Sequence, residues 1–402
     1  MSGQFTETTR TGFFSGIKNA VVGGLLGLIL VPGSVALLSW NEYRTIHRTK
    51  GLNEGAELVE TVADPDTASP DLSGKLVHVN GKADTQERLR DDQFGIEETA
   101  IRLTRNVEMF QWTEEKRTKN KGNTTKTVYD YRQEWRSGYV DHSRFRKSAG
   151  HENLRPRFGD SDQLANNVNV GGYRLNGSLI NSIRAEELVP WSEEMLAAAE
   201  KLAGETTVSD KYLYCSENGG TPAAPVVGDQ RVWFEVVKPT RVSFVAGVSE
   251  AAADQLKPFK VSNDESIERL YVGDFSAGEV FEKMQGENQI TAWMFRGGGF
   301  AMSFMGFGMI LGVLSAFTNW IPVVGSMTRA VFGFVAFLLA VVLTTLTIAF
   351  AWIAVRPLLA IPLILIGIGA AYMAWRSSRK SPNPALAPAV DAPTVLSADD
   401  VV

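Results

Sequence analysis

The chain has 402 residues, 44% of them hydrophobic and 21% charged, so it is larger than one average domain. A net charge of −5 argues against a nucleic-acid binder, which carries a basic excess. One cysteine, Cys215, excludes an intrachain disulfide framework and a Cys-rich zinc site, and four histidines leave little for His-based catalysis.

Charge divides the chain. Residues outside 39–292 hold 8 of the 40 basic and 4 of the 45 acidic residues, so the 254 residues between are net −9. An acidic body is flanked by nearly charge-free apolar segments.

In chain order, residues 1–19 read as a cytoplasmic N-terminal tail, and 20–38 form an uncharged first span. About 20 apolar residues at ~1.5 Å rise cross a bilayer. The segment lacks a small-x-small cleavage site, so it reads as an uncleaved anchor. Residues 39–292 read as a β-rich domain. Within it, 107–112 (VEMFQW) and 126–135 (KTVYDYRQEW) are rich in β-branched and aromatic residues and predict a hairpin around a polar, turn-prone stretch. Residues 76–79, 231–237 and 241–248 are further strands, and 192–203 is a helix opened by a serine and two glutamates. Ser276-Ala277-Gly278-Glu279 matches a capping box that starts a helix through Val280, Phe281 and Met284. That helix is placed at the membrane interface, with packing on the domain core as the rival reading.

Three spans follow, at 293–317, 330–355 and 358–375, with Pro322 in a loop and Arg356-Pro357 as a tight turn between the last two. Residues 376–402 form a Pro/Ala-rich, disordered cytoplasmic tail. Arg376, Arg379 and Lys380 favour cytoplasmic termini, which puts the large domain on the extracytoplasmic or lumenal side. Gly23 with Gly27, and Gly308 with Gly312, sit four apart and read as helix-packing faces, within one chain or between chains. Gly297-Gly298-Gly299 reads as a hinge or a close-packed helix end.

Catalytic motifs are missing: no H-E-x-x-H, no G-x-S-x-G and no P-loop occur. Asp141-His142-Ser143 lists triad residue types, but neighbours along a strand point to opposite faces. His78 reads as structural. No acidic residue lies inside a span, which counts against a proton-coupled pump. No cofactor, metal or nucleic-acid partner is expected.

A set of segments then acquires meaning together: Gly74-Lys75-Leu76-Val77-His78-Val79 before Gly81, Val107-Glu108-Met109-Phe110-Gln111-Trp112, Glu134-Trp135-Arg136-Ser137, Gly273-Asp274-Phe275-Ser276-Ala277 with Val280-Phe281, and Arg356-Pro357-Leu358. In order and in the one-plus-three span layout, the chain resembles the transmembrane protein 43 (LUMA) family over nearly its whole length. The resemblance implies an α+β membrane protein with four spans and a large β-rich, OB-fold-like extramembrane domain. It further implies a self-associating scaffold that organises membrane, in the endoplasmic reticulum and inner nuclear membrane of eukaryotes. The tail lacks a terminal lysine-rich signal, so in a bacterium the plasma membrane is the expected site. No catalytic residues carry over. Membrane lipids and further copies of the chain are the expected partners. The rival expectations are a channel or channel modulator formed by oligomerised C-terminal helices, and an envelope- or lipid-directed enzyme.

Overall fold

The computed structural model describes residues 3–10, 13–121, 124–203, 206–318, 322–355, 372 and 376. The chain opens with strand β1 (Gly3–Arg10) and a 46-residue helix, α1 (Phe13–Leu58). The domain then builds β2 (Leu76–Asp84), β3 (Arg102–Lys121) and β4 (Thr124–Ser137). Helices α2 (Gly177–Asn181) and α3 (Glu193–Ala203) follow, then β5 (Thr206–Ser209), β6 (Tyr212–Cys215), β7 (Gln230–Val237), β8 (Thr240–Val248) and β9 (Arg269–Val272). Two long helices close the described chain, α4 (Ala277–Thr318) and α5 (Pro322–Val355). This is a mixed α and β membrane protein with a large β-rich domain. Among the described residues three helices are long and apolar enough to cross a membrane: Lys18–Leu58, Ala277–Leu314 and Ala330–Ile353. The fourth expected span at 358–375, the Arg356-Pro357 turn and the tail at 376–402 lie outside the described residues, apart from single positions.

Two large sheets, with two further two-stranded ribbons, make the β-rich part of the described chain. The larger runs β1-β4-β3-β7-β6-β5, with Ser161–Leu164 also on β3 and Glu187–Leu188 on β7. The other centres on β2 and β8, which pair antiparallel from Thr240↔Ala83 to Gly247↔Leu76, with β9 on the far side of β8. Alternation explains the first sheet: β7 buries every second residue, and Val232, Phe234 and Val236 face Leu103, Val107 and the α3 residues Met195 and Ala199. By contrast, β8 is buried continuously from Val242 to Val248, because α2 and the helix ends cover its two faces.

The hairpin appears where 107–112 and 126–135 predict it, with Phe110 opposite Trp135. It is longer than its aromatic cores. The polar run after Trp112 stays extended to Lys121, because its charges face solvent on both sides of an arm and pair across strands, as Arg117 does with Asp130. Pro322 opens α5 rather than sitting in a loop, since a proline's missing N–H costs nothing in the first turn.

Three boundary expectations are corrected. Residues 39–292 are not all β-rich domain: α1 continues to Leu58 and α4 begins at Ala277, so both ends are helical extensions of the spans. Residues 1–19 are not a plain tail, because Gly3–Arg10 pairs residue for residue with Tyr131–Thr124 of β4. Finally, Val280, Phe281 and Met284 do not lie on the membrane. They are 0%, 4% and 2% exposed, packed with Leu52, Leu76, Val245 and Ile267 in a core cluster, and this burial leaves no face for lipid.

Candidate functional site

The feature that joins the domain to the spans is the antiparallel seam between α1 and α4. Its α1 side follows a strict alternation of three and four: Gly24, Gly27, Val31, Ser34, Leu38, Asn41, Thr45, Arg48, Leu52, Gly55. The α4 side repeats it with Phe281, Gln285, Asn288, Ala292, Phe295, Gly299, Met302, Gly306, Met309 and Val313. A 3.5-residue repeat keeps one stripe of each helix on its partner, the pattern of a coiled coil.

In the apolar half, glycine sets the spacing. A Cβ on Gly27 would lie 2.5 Å from the Gly306 carbonyl oxygen, one on Gly24 would meet Val313 at 2.5 Å, and one on Gly299 would meet Leu38 at 2.6 Å. Close backbone approach gains dispersion contacts that lipid tails cannot otherwise favour. Of the expected packing glycines, Gly27 lies in this seam. Among the described residues nothing lies within 4 Å of where the Cβ atoms of Gly23, Gly308 and Gly312 would be, so these three do not pack within the described chain as expected. The four-residue spacing pairs Gly23 with Gly27, whereas the 3.5 repeat turns Gly23 outward and Gly24 inward. The Gly297-Gly298-Gly299 run is no break either, for α4 is continuous through it and Gly299 receives Leu38.

Where the apolar half ends, the seam becomes polar. Arg296 holds Glu42 through two bonds, Nε to Oε1 at 2.7 Å and Nη2 to Oε2 at 2.8 Å, and the Glu42 side chain is 1% exposed. Asn41 Nδ2 donates to the Ala292 carbonyl at 3.1 Å, and Asn288 Nδ2 to the Thr45 carbonyl at 3.0 Å. Gln285 Nε2 donates to Asn53 Oδ1 at 3.0 Å. Trp40 and Phe295 meet edge to face at 5.4 Å, with the Arg44 guanidinium beside both rings. Trp40, Tyr43 and Trp293 point outward at this level, as aromatic residues do at a membrane–water boundary.

The seam then enters the domain. Arg48 pairs with Glu265 and donates to the Ser266 carbonyl, and Glu54 accepts from the Ser262 amide at 2.8 Å and its hydroxyl at 2.6 Å. These two bonds hold the Glu54 carboxyl below its ordinary pKa. Gly55 lies against Ile267 and Phe281. On the other strand of the seam, the capping box forms: Ser276 N–H donates to Glu279 Oε2 at 2.7 Å, which lowers the Glu279 pKa. Just before it, Phe275 is tied to both central strands, its N–H donating to Ser243 Oγ at 2.7 Å and its carbonyl meeting His78 Nε2 at 2.9 Å. His78 is 1% exposed, and burial holds its pKa below the ordinary value.

No nucleophile and base converge among the described residues. Asp141 caps a short turn by accepting from the Ser143 N–H at 3.0 Å, and His142 Nδ1 accepts from the Asn153 N–H. Cys215 is fully buried, its thiol pushed up to about 12. Asp229 is fully buried and accepts from Tyr214, Ser216 and the Val226 amide, which fastens a loop. A polar groove of about 540 Å³ is lined by Lys82, Asp84, Glu87 and Asn169 among others, but Glu87 is consumed by the Asn166 and Asn167 amides. Among the described residues no group of three His, Cys, Asp or Glu side chains could hold a metal.

Sequence reading missed the seam because it sought glycines four apart. The 3.5 repeat was present in the letters, but it crosses from an apolar to a polar segment, and hydropathy divides it there.

Comparison with known proteins places the chain in a family. The family model for transmembrane protein 43 matches residues 109–357. Transmembrane protein 43 of Rattus norvegicus is 31% identical over 367 residues, covering 88% of this chain and 89% of the rat protein. The Homo sapiens protein is 30% identical over 368 residues, covering 88% and 90%. The Drosophila melanogaster homolog is 26% identical over 357 residues, covering 85% and 91%. No solved structure matches the chain. With a family match over more than half its length and relatives covered almost end to end, the chain belongs to the transmembrane protein 43 family.

Proposed function

We propose that this is a non-enzymatic multi-pass membrane protein that self-associates and holds its β-rich domain rigidly at the extracytoplasmic or lumenal membrane face, where it organises membrane or gathers partner proteins. The observation that carries the reading is the unbroken seam: one pair of helices runs from apolar glycine contacts through the Glu42–Arg296 pair into the domain core. Such a stalk fixes the height and angle of the domain, which suits a scaffold. Gly23, Gly308 and Gly312 leave small, open faces on the outside of the same pair, where a second copy can approach.

The test is the mass of the full chain in native-lipid particles, by mass photometry. It is combined with cysteine cross-linking at Gly23→Cys and Gly308→Cys in a Cys215→Ala background. A closed oligomer cross-linked through these positions supports self-association. A strict monomer overturns it.

A further inference from the structure

Strand β1 and helix α1 impose opposite demands on the N-terminus. The strand pairs with β4 over all eight of its residues, Arg10 facing Thr124 at the tip of the arm. Side chains secure it: Gln4 donates to Asp130, Glu7 pairs with Arg146, and the Phe5 and Tyr129 rings lie 6.2 Å apart. Two residues separate Arg10 from Phe13, a reach of at most about 11 Å. The arm tip therefore stands beside the start of α1.

The other end of α1 is fixed to the domain at Gly51 and Gly55, which touch Glu265 and Ile267. From Phe13 to Gly51 the helix rises about 57 Å. The apolar stretch lies between these points. A docked β1 thus places the outer arm at the depth of that stretch. The outer arm is highly charged: Glu114, Glu115, Lys116, Arg117, Lys119 and Lys121 lie on β3 alone. Charged side chains are expelled from hydrocarbon, and sheet edges exposed to lipid leave backbone groups unpaired. A docked β1 and an α1 surrounded by lipid exclude each other.

We infer that β1 is an exchangeable latch: it docks on the arm edge while α1 is outside the bilayer, and it is pulled off to the opposite membrane face when α1 crosses, leaving the β4 edge free. The inference rests on the reading of α1 as a true span. It gives a function to the odd position of β1, the outermost strand of its sheet, joined to the domain by one edge and a few side-chain contacts. Docking covers an edge that would otherwise pair with other chains before insertion.

The experiment uses the full chain with Cys215→Ala and one of two facing pairs, Thr6→Cys with Val128→Cys, or Glu7→Cys with Thr127→Cys. Neighbouring positions of an antiparallel ladder alternate between narrow and wide spacing, so one pair is suited to a disulfide. Cross-linking is compared between chain synthesised without membranes or detergent and chain inserted into sealed vesicles. Single cysteines at Thr6 and at exposed Ala251 are labelled in the same vesicles with an impermeant maleimide. The latch requires a cross-link in most chains synthesised without membranes or detergent, only background in vesicles, and labelling of positions 6 and 251 from opposite sides. A cross-link persisting in vesicles with labels on opposite sides overturns the latch alone, for the arm then crosses with the helix. Labels on the same side overturn the crossing of α1 and the latch together. Absence of the cross-link in the membrane-free and detergent-free synthesis overturns the docked state.

Discussion

Arg296 on α4 grips both carboxylate oxygens of Glu42 on α1, 254 positions away in the chain. The pair lies where the seam leaves its apolar half, and it is largely closed to water, with side chains 16% and 1% exposed. Removing one partner strands the other charge. Glu42→Ala is expected to destabilise the detergent-solubilised protein by about 3–5 kcal/mol, read as a lowered denaturation midpoint. The double variant Glu42→Leu with Arg296→Met is expected to regain most of that loss, because a packed apolar pair replaces a satisfied ionic one at little cost. If both variants lose equally, the bond does more than fix the seam.

The glycines divide into two classes by the direction of their missing side chains. Gly27→Leu drives a side chain into the backbone of Gly306, so the helices must part, at a cost of about 1–3 kcal/mol. Gly23→Leu, one turn away and directed outward, is expected to leave monomer stability within about 0.5 kcal/mol. In lipid particles the same Gly23→Leu variant is expected to weaken association of copies. Thermal scans in detergent and masses in lipid separate the two effects.

Phe281 tests where the first turns of α4 sit. It is 4% exposed in a cluster with Leu52, Val261 and Ile267. Truncation to Ala should cost about 3–5 kcal/mol, the usual result for a buried phenylalanine. Partition of the variant into membranes should be unchanged, since the side chain does not reach lipid. A variant of normal stability with altered lipid contacts would return Phe281 to the interface.

Local signals carried much of this architecture, and long-range ones did not. The β3–β4 hairpin, the capping box at Ser276 and Glu279 and the α3 boundaries could all be read from neighbouring residues, because each is set by a few adjacent side chains. The role of Val280, Phe281 and Met284 could not. An apolar helical face looks the same whether it meets lipid or a sheet, and Val245 and Ile267 settle that only once β8 is placed. Glu42 and Arg296 stand in the sequence only as charges just outside two apolar runs. Their partnership depends on an antiparallel register that neither segment encodes alone. The pairing of β1 was hidden for a similar reason: Gly3–Arg10 is polar, short and 114 positions before the start of its partner at Thr124, with the 46-residue α1 in between.

The last prediction concerns pH and the joint between the sheets and α4. His78 Nε2 donates to the Phe275 carbonyl, so the neutral ring carries its proton there, and Nδ1 is buried without a protein partner. Protonation would put a charge into a site closed to water. Burial therefore holds the folded pKa below the value near 6.5 at which an unfolded histidine titrates, outweighing the opposing effect of the Phe275 carbonyl. The sign follows: between the two pKa values the unfolded chain binds more protons, so stability rises with pH through that window. The contribution is complete above pH 6.5 and falls as pH drops toward the folded pKa. In His78→Gln, whose side-chain amide can still donate to Phe275 O, this slope below pH 6.5 should vanish, while carboxylates such as Glu54 and Glu279 keep their own losses at lower pH. Denaturation midpoints of the two proteins between pH 7.5 and 5 (a window of about 2.5 units set by the histidine and carboxylate ranges) measure the difference. Parallel curves would show that His78 takes up its proton alike in the folded and unfolded chains, and would overturn the prediction.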